Sequence, residues 1–190
     1  VVRQLLMLSR RQESAKVVMD LNTSFKHVRA LCSNSFDKSV VIAFDAPGSP
    51  AFIKGNPTQI EQMILNLCVN AEHAMTIMRK PGEKRGGTLR VTLHKASADS
   101  VPHVERSSPT DSCYWRISVI DTGVGMDEVT RRQIFNPFFT TKSRTEGTGL
   151  GLAMVANIVG LHEGFLDVVT ALGKGSTLSV FLPCSDSQTA

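Results

Sequence analysis

Glu146-Gly147-Thr148-Gly149-Leu150-Gly151-Leu152-Ala153-Met154-Val155 places glycine at positions 147, 149 and 151, directly before an apolar, helix-forming run. A glycine-rich turn feeding a helix N-terminus leaves backbone N–H groups free and presents the positive end of the helix dipole, which suits a phosphate chain. A plain helix-capping loop would have the same pattern. A second glycine turn lies upstream, Asp121-Thr122-Gly123-Val124-Gly125-Met126. Between the two stands the aromatic-proline segment Phe135-Asn136-Pro137-Phe138-Phe139. Together they favour a nucleotide seated beneath two loops. Other phosphate-binding patterns are excluded. There is no Gly-x-x-x-x-Gly-Lys-Ser/Thr, and the protein-kinase loop and the dinucleotide fingerprint both need glycine where Leu152 stands.

The chain has 190 residues, 42% hydrophobic and 20% charged, which suits one globular domain with a core. No apolar run reaches the roughly 18 residues of a membrane helix. The opening Val1-Val2-Arg3 has no signal-peptide pattern and no initiator methionine. A piece of a longer protein is expected, with any membrane contact made through parts outside it. Cys32, Cys68, Cys113 and Cys184 are far apart and form no Cys-x-x-Cys pair. Metal ligation and disulfides are disfavoured, and buried thiols in a reducing, cytoplasmic compartment are expected. The net charge of +4 is spread along the chain without a basic stripe or interleaved aromatics. No nucleic-acid partner is expected, and an anionic nucleotide suits the sign equally well.

Residues 1 to about 14 read as a helix, with Val1, Leu5, Leu8 and Gln12 at heptad-like spacing. It is too short to stand alone and needs either a partner helix or its own domain to lie on. Asp20 can cap a second helix carrying Leu21, Phe25, Val28 and Leu31 at three- and four-residue steps. Ser39–Asp45 and Ala51–Lys54 read as strands around a Pro/Gly turn. Asn56-Pro57 opens the longest helix, whose apolar stripe is Ile60, Met63, Ile64, Leu67, Ala71, Ala74, Met75 and Met78. Thr88–His94 and Cys113–Ile120 are strands flanking a polar segment, Lys95–Ser112, read as a mobile hairpin loop. A short helix follows at 127–134, an irregular stretch at 136–147, and a helix over Gly149–Leu161. Leu166–Thr170 and Ser176–Leu182 close as a hairpin across Gly173-Lys174-Gly175. This order predicts a two-layer α/β sandwich, with helices on one side of a mixed sheet.

Asn66 and Asn70 are four apart and share a helical face, with His73 close to the next turn. Amides in an apolar stripe are costly unless satisfied. Either they cap neighbouring loops, or the Asn70 amide oxygen ligates Mg²⁺, which commonly takes only one or two protein oxygens beside phosphates and water. Asp121 can accept from an adenine 6-amino group and repel the guanine carbonyl, or it can simply shape an Asx-turn. Gly123 and Gly125 would let the backbone approach the ring. Phe135, Phe138 and Phe139 either belong to the core or anchor a segment that closes over the nucleotide. Thr140-Thr141-Lys142-Ser143-Arg144 supplies hydroxyls and cations for the terminal phosphates. An exposed basic turn is the alternative, favoured for Arg144.

Four elements now stand in order: Asn66-Leu67-Cys68-Val69-Asn70-Ala71, Asp121-Thr122-Gly123-Val124-Gly125, Phe135-Asn136-Pro137-Phe138-Phe139 and Gly147-Thr148-Gly149-Leu150-Gly151. They resemble the N, G1, F and G2 boxes of the ATP-binding catalytic domain of sensor histidine kinases, a branch of the superfamily shared with gyrase and mismatch-repair ATPases. Gly173-Lys174-Gly175-Ser176-Thr177 and Phe181-Leu182-Pro183 also suit the family's last hairpin. The resemblance covers roughly residues 20–185 and implies a Bergerat-type sandwich, with a mixed, mostly antiparallel sheet and an ATP lid at about 126–147. Residues 186–190 are a tail. Residues 1–15 resemble the end of a dimerisation and phosphoacceptor helix. None of His27, His73, His94, His103 or His162 has the surroundings of the reactive histidine, so the acceptor is expected outside this chain. Glu163 departs from the family, which commonly has glycine there.

The resemblance implies phosphoryl transfer from MgATP to that histidine, within a homodimeric parent protein that passes the phosphoryl group to a response-regulator receiver domain. Asn70 would hold Mg²⁺, and Asn66, His73 and Lys142 would attend the transferring group. Asp121, Gly123, Gly125, Met126, Phe138, Thr141, Gly147, Thr148, Gly149, Leu150, Gly151 and Thr177 would contact nucleotide. Hydrolytic relatives carry a glutamate base where this chain has Asn66, an amide that cannot act as one. Slow hydrolysis is therefore expected. An ATP-hydrolysing relative or a nucleotide-sensing interaction module are the alternatives.

Overall fold

The computed structural model describes residues 15–97, 99, 101, 113–142 and 147–185. The N-terminal helix expected over 1–14, His103, Arg144 and the tail lie outside the described residues, as does most of the polar loop. Chain order gives β1 (Val17–Asp20), α1 (Leu21–Ser35), β2 (Val40–Asp45), β3 (Phe52–Gly55), α2 (Pro57–Met75), β4 (Gly87–Ser97), β5 (Cys113–Asp121), α3 (Glu128–Arg131), α4 (Gly151–Leu161), β6 (Phe165–Ala171) and β7 (Gly175–Pro183). Five strands form one sheet in the order β2-β4-β5-β7-β6, parallel only between β2 and β4. β1 and β3 make a separate antiparallel pair, and the sequence pattern had not indicated β1.

Alternation places Leu89, Val91 and Leu93 of β4, Ile117 and Val119 of β5, and Leu178, Val180 and Leu182 of β7 on the face the helices cover. Against them pack Ile60, Met63, Ile64, Leu67 and Ala71 of α2, Phe25 and Val28 of α1, and Met154, Val155 and Ile158 of α4. This is the two-layer sandwich, its helices on one face. Asp20 caps α1, accepting from the Asn22 and Ala51 amides at 3.0 and 2.9 Å. Asn56 caps α2, accepting from Gln59 N–H at 3.0 Å, with Pro57 in the first turn. The helix stops at Met75, short of the expected Met78, and Ala74 and Met78 face a cleft instead of the core.

The other sheet face is polar along Arg90, Thr92, Arg116, Ser118 and Thr177. At its far end, Val101 packs with Tyr114 and Phe181 over a small second core. One end of the polar loop is thus held on the sheet. The expectation of four thiols is corrected at the same place: Cys113 and Cys184, at the paired ends of β5 and β7, form a disulfide. Strand pairing brings their Cα atoms to 5.4 Å despite a sequence separation of 71, within the range a disulfide requires. Cys32 and Cys68 remain buried thiols.

The loop after β5 is held at backbone distance on two sides. Val124 N–H donates to the Ala74 carbonyl at 3.1 Å, and Val124 O accepts from Gly173 N–H at 2.7 Å. A Cβ at Gly123 would come within 2.7 Å of the Ala74 backbone. Gly125 lies at φ +63°, its missing side chain facing the Ala171 and Gly175 carbonyls. These two glycines therefore let the loop meet protein backbone, and Gly125 also lines the cleft. A further junction is His162, 4% exposed. Its Nε2 accepts from Asn56 N–H at 3.1 Å, and its Nδ1 lies 2.8 Å from the Ile158 carbonyl. The ring is thus neutral, protonated at Nδ1, and joins the end of α4 to the start of α2. Next to it Glu163 takes φ +56°, the left-handed conformation that glycine adopts without strain.

Gly125→Ala is expected to cost about 2 kcal/mol or more of unfolding free energy in denaturant titration, from the positive φ and the facing carbonyls. Burial lowers the His162 pKa from its ordinary 6.5. Its contribution to stability is therefore complete above pH 6.5 and is lost as pH falls through the lower folded-state value. Comparing unfolding free energies at pH 8 and pH 5 should show this loss. His162→Asn should start about 1 kcal/mol lower and show a shallower loss with acid.

Candidate nucleotide site

One cleft opens between α2, the loop after β5, the lid segment and the start of α4. Its lining includes Asn66, Asn70, His73, Asp121, Gly125, Met126, Thr141, Lys142, Gly147, Thr148, Gly149 and Gly151. Twelve residues singled out in the sequence thus meet in one place. Four others sit differently. Gly123 packs on Ala74. Leu150 is buried at the α4 N-cap position. Phe138 points outward, 63% exposed at φ +67°, while Phe139 and Ile134 line the cleft. Thr177 lies on the opposite sheet face with Arg90 and Ile120, and its neighbour Ser176 faces the cleft. A one-residue step along a strand reverses the face, and no helix or turn signal in the sequence distinguishes the two.

At one end of the cleft Asp121 is 5% exposed. Burial pushes its pKa up to about 6, against the opposing pull of the Gly123 and Ser176 backbone amides and Arg79. The Gly123 N–H···Oδ1 distance is 2.7 Å. Arg79 also donates to the Thr122 carbonyl at 2.8 Å and braces the loop from α2's side. Arg79 and Ser176 were not identified from the sequence: one lies beyond the helix end, the other depends on strand register.

At the other end, Asn70 Nδ2 donates to the Asn66 carbonyl at 2.9 Å, which turns Asn70 Oδ1 into the cleft. The Lys142 ammonium sits 3.1 Å from that oxygen and 2.7 Å from His73 Nδ1. An ammonium only donates, so His73 Nδ1 accepts, leaving the ring proton on Nε2, 3.6 Å from Glu72 Oε2. α4 begins here without a side-chain cap, and a Cβ at Gly151 would meet only Asn70 Nδ2, at 3.6 Å. Free helix N–H groups facing an open cleft form an anion site. Gly149, at φ +67°, rests on the Phe138 backbone, and Phe138 N–H donates to the Gly149 carbonyl at 2.9 Å. Gly147 packs against Thr140 and Lys142. These contacts join the lid segment to the glycine turn.

The cation on Asn70 Oδ1 shows that this oxygen suits a positive ion. Among the described residues no group of three or more His, Cys, Asp or Glu could cage a metal. A metal here would take few protein oxygens, Asn70 Oδ1 among them, and rely on phosphates and water, which fits Mg²⁺.

Residues 55–186 match the family described as "Histidine kinase-, DNA gyrase B-, and HSP90-like ATPase". Sensor kinase CckA of Brucella abortus (strain 2308) is 34% identical over 183 residues, covering 96% of this chain and 18% of that protein. Sensor histidine kinase ZraS of Escherichia coli (strain K12) is 34% identical over 184 residues, covering 96% and 34%. The chain thus spans 18% and 34% of the length of these two relatives. Among solved structures, the catalytic domain of histidine kinase ThkA matches with a TM-score of 0.66 and 25% identity, over 88% of this chain and 95% of that one. Full-length ShkA in complex with AMPPNP shares the fold at a TM-score of 0.72 and 23% identity, over 99% of this chain and 36% of that one. The chain belongs to the histidine kinase-, DNA gyrase B- and HSP90-like ATPase family, as a catalytic domain of the sensor histidine kinase type.

Proposed function

We propose that the cleft binds MgATP and that its γ-phosphoryl group passes to a histidine on a dimerisation domain outside this chain. One observation carries the reading: a buried carboxylate, two helix amides and an uncapped helix start line a single cleft. Asp121 accepts from the adenine 6-amino group. Met126, Ile134 and Phe139 supply apolar wall. The Gly147–Gly151 backbone and the α4 N-terminus hold the phosphates, with Thr141 and Thr148 hydroxyls beside them. Asn70 Oδ1 would hold Mg²⁺, which neutralises charge on the transferring phosphates when bound. Lys142 and His73 offset the remaining charge. In the transfer, the acceptor imidazole nitrogen forms a P–N bond as the bond from the γ-phosphorus to the bridging oxygen breaks and ADP leaves; the ring proton passes to solvent.

The acceptor domain, a homodimeric parent, a receiver-domain partner and a cytoplasmic setting complete the proposal. Its support is the likeness to sensor kinases. No described helix is long and apolar enough to cross a membrane.

Calorimetric titration with an ATP analogue and Mg²⁺ is expected to show one site, weakened about tenfold or more by Asn70→Ala. Adding a separately produced dimerisation domain and MgATP should yield acid-labile phosphate on that domain. Its absence would favour a nucleotide-sensing module. Fast steady-state hydrolysis by the chain alone, abolished by Asn66→Ala, would place it with the hydrolytic relatives.

Asp121 generates a pH prediction. Above about pH 6 its carboxylate accepts from adenine and repels the guanine carbonyl. Below that value the protonated carboxyl can donate to the guanine carbonyl, so preference for ATP over GTP should shrink between pH 7.5 and 5. Asp121→Asn should give a weak preference that hardly changes with pH. Equal discrimination by wild type at both pH values would remove Asp121 from this role.

A further inference from the structure

Lys142 engages the same oxygen that the proposed metal ion would use. Its ammonium lies 3.1 Å from Asn70 Oδ1 and 2.7 Å from His73 Nδ1. The Asn70 amide cannot turn away without breaking its bond to the Asn66 carbonyl. A Mg²⁺ ion would stand about 2.1 Å from the same oxygen. An ammonium and a metal ion on that one oxygen would repel each other where water is partly excluded.

We propose that Lys142 is a place-holder for the metal. With the cleft free of nucleotide it satisfies Asn70 and His73 and pins the lid segment to α2. Entry of the metal–nucleotide pair displaces the ammonium from Asn70 toward the phosphates. The backbone around Lys142 makes this displacement consequential. Lys142 N–H donates to Thr140 Oγ1 at 3.1 Å, and Gly147, the first glycine of the phosphate turn, packs against Lys142 Cβ and Thr140. A shift of Lys142 is therefore felt where the phosphates would sit. The position also has a chemical consequence: without metal, Lys142 remains as a cation for the phosphates, so it supports metal-free nucleotide binding and competes with metal-dependent binding.

The inference rests on the MgATP reading, and two measurements keep them separable. The first needs no nucleotide. Lys142→Met keeps the aliphatic stem and removes the charge, and hydrogen exchange of amides 140–142 and 147–150 in the nucleotide-free chain should rise about fivefold or more. Asn70→Ala should raise it as well, and the double variant should add little to the larger single effect. The second compares affinity for an ATP analogue with Mg²⁺ and with EDTA. Lys142→Met should weaken metal-free binding about tenfold while changing Mg²⁺-dependent binding much less, so that the ratio of the two affinities widens. Unchanged exchange, or equal weakening with and without Mg²⁺, would overturn the place-holder and leave Lys142 as an ordinary phosphate contact. If wild type binds no analogue in either condition, the nucleotide reading fails, and the exchange result still decides whether Lys142 pins the lid.

Discussion

The loop that follows β5 runs between the last turn of α2 and the β6–β7 turn with backbone touching backbone on both sides. Val124 spends its N–H on Ala74 and its carbonyl on Gly173, and neither Gly123 nor Gly125 has space for a methyl group. This close fit ties the helix layer to the sheet at the edge of the cleft. Asp121 inherits its position from it: a strand end whose carboxylate is buried because the loop folds back immediately and two backbone amides, of Gly123 and Ser176, point at it. The raised pKa is the electrostatic cost of that geometry. It leaves Asp121 as a buried carboxylate with a definite direction, beside the apolar side chains of Val124 and Met126.

The opposite end is built differently. There the groups are amides, free helix N–H donors, a neutral imidazole and one ammonium, and most of them sit on separate elements. α2 contributes Asn66, Asn70 and His73 from one face, because residues three and four apart stack on a helix. The lid segment contributes Lys142, and α4 contributes its N-terminus. The Phe138–Gly149 bond and the packing of Gly147 on Lys142 are what couple the lid to the phosphate turn. A carboxylate at one end and cation-seeking oxygen plus anion-seeking N–H groups at the other give the cleft polarity along its length, matching a ligand with a neutral base and a charged tail.

Most of the fold was legible because its elements carry strong local signals. The α2 stripe, the Asn56-Pro57 start, the alternating strands and the three glycine turns each follow from periodicity or backbone sterics. The cleft was legible to the same extent: groups fixed by helical spacing or glycine turns came together. What escaped depends on contacts between distant segments. Thr177 and Ser176 differ by one residue, and only pairing with β5 decides which faces the cleft. The Cys113–Cys184 bond follows from that same pairing, since nothing in the spacing of the two cysteines predicts it. β1 is four residues long and exists through its partner β3. His162 reads as an ordinary loop residue until Asn56 is placed beside it.

Position 66 separates the two chemistries open to such a cleft. Water is a poor nucleophile unless a base removes its proton as it attacks, and hydrolytic relatives were expected to keep a carboxylate there. The Asn66 amide cannot take a proton near neutral pH. Among the described residues lining the cleft, two candidates remain: His73, whose Nδ1 lone pair is directed at Lys142, and Asp121, whose buried carboxylate is engaged by the Gly123 N–H. A neutral imidazole acceptor, by contrast, brings its own lone pair and sheds its proton to solvent after the P–N bond has formed. In the proposed reading the groups lining this cleft bind the nucleotide and neutralise charge as it redistributes, and they leave the nucleophile to be supplied from outside. That division of labour favours transfer to a histidine over hydrolysis for this chain.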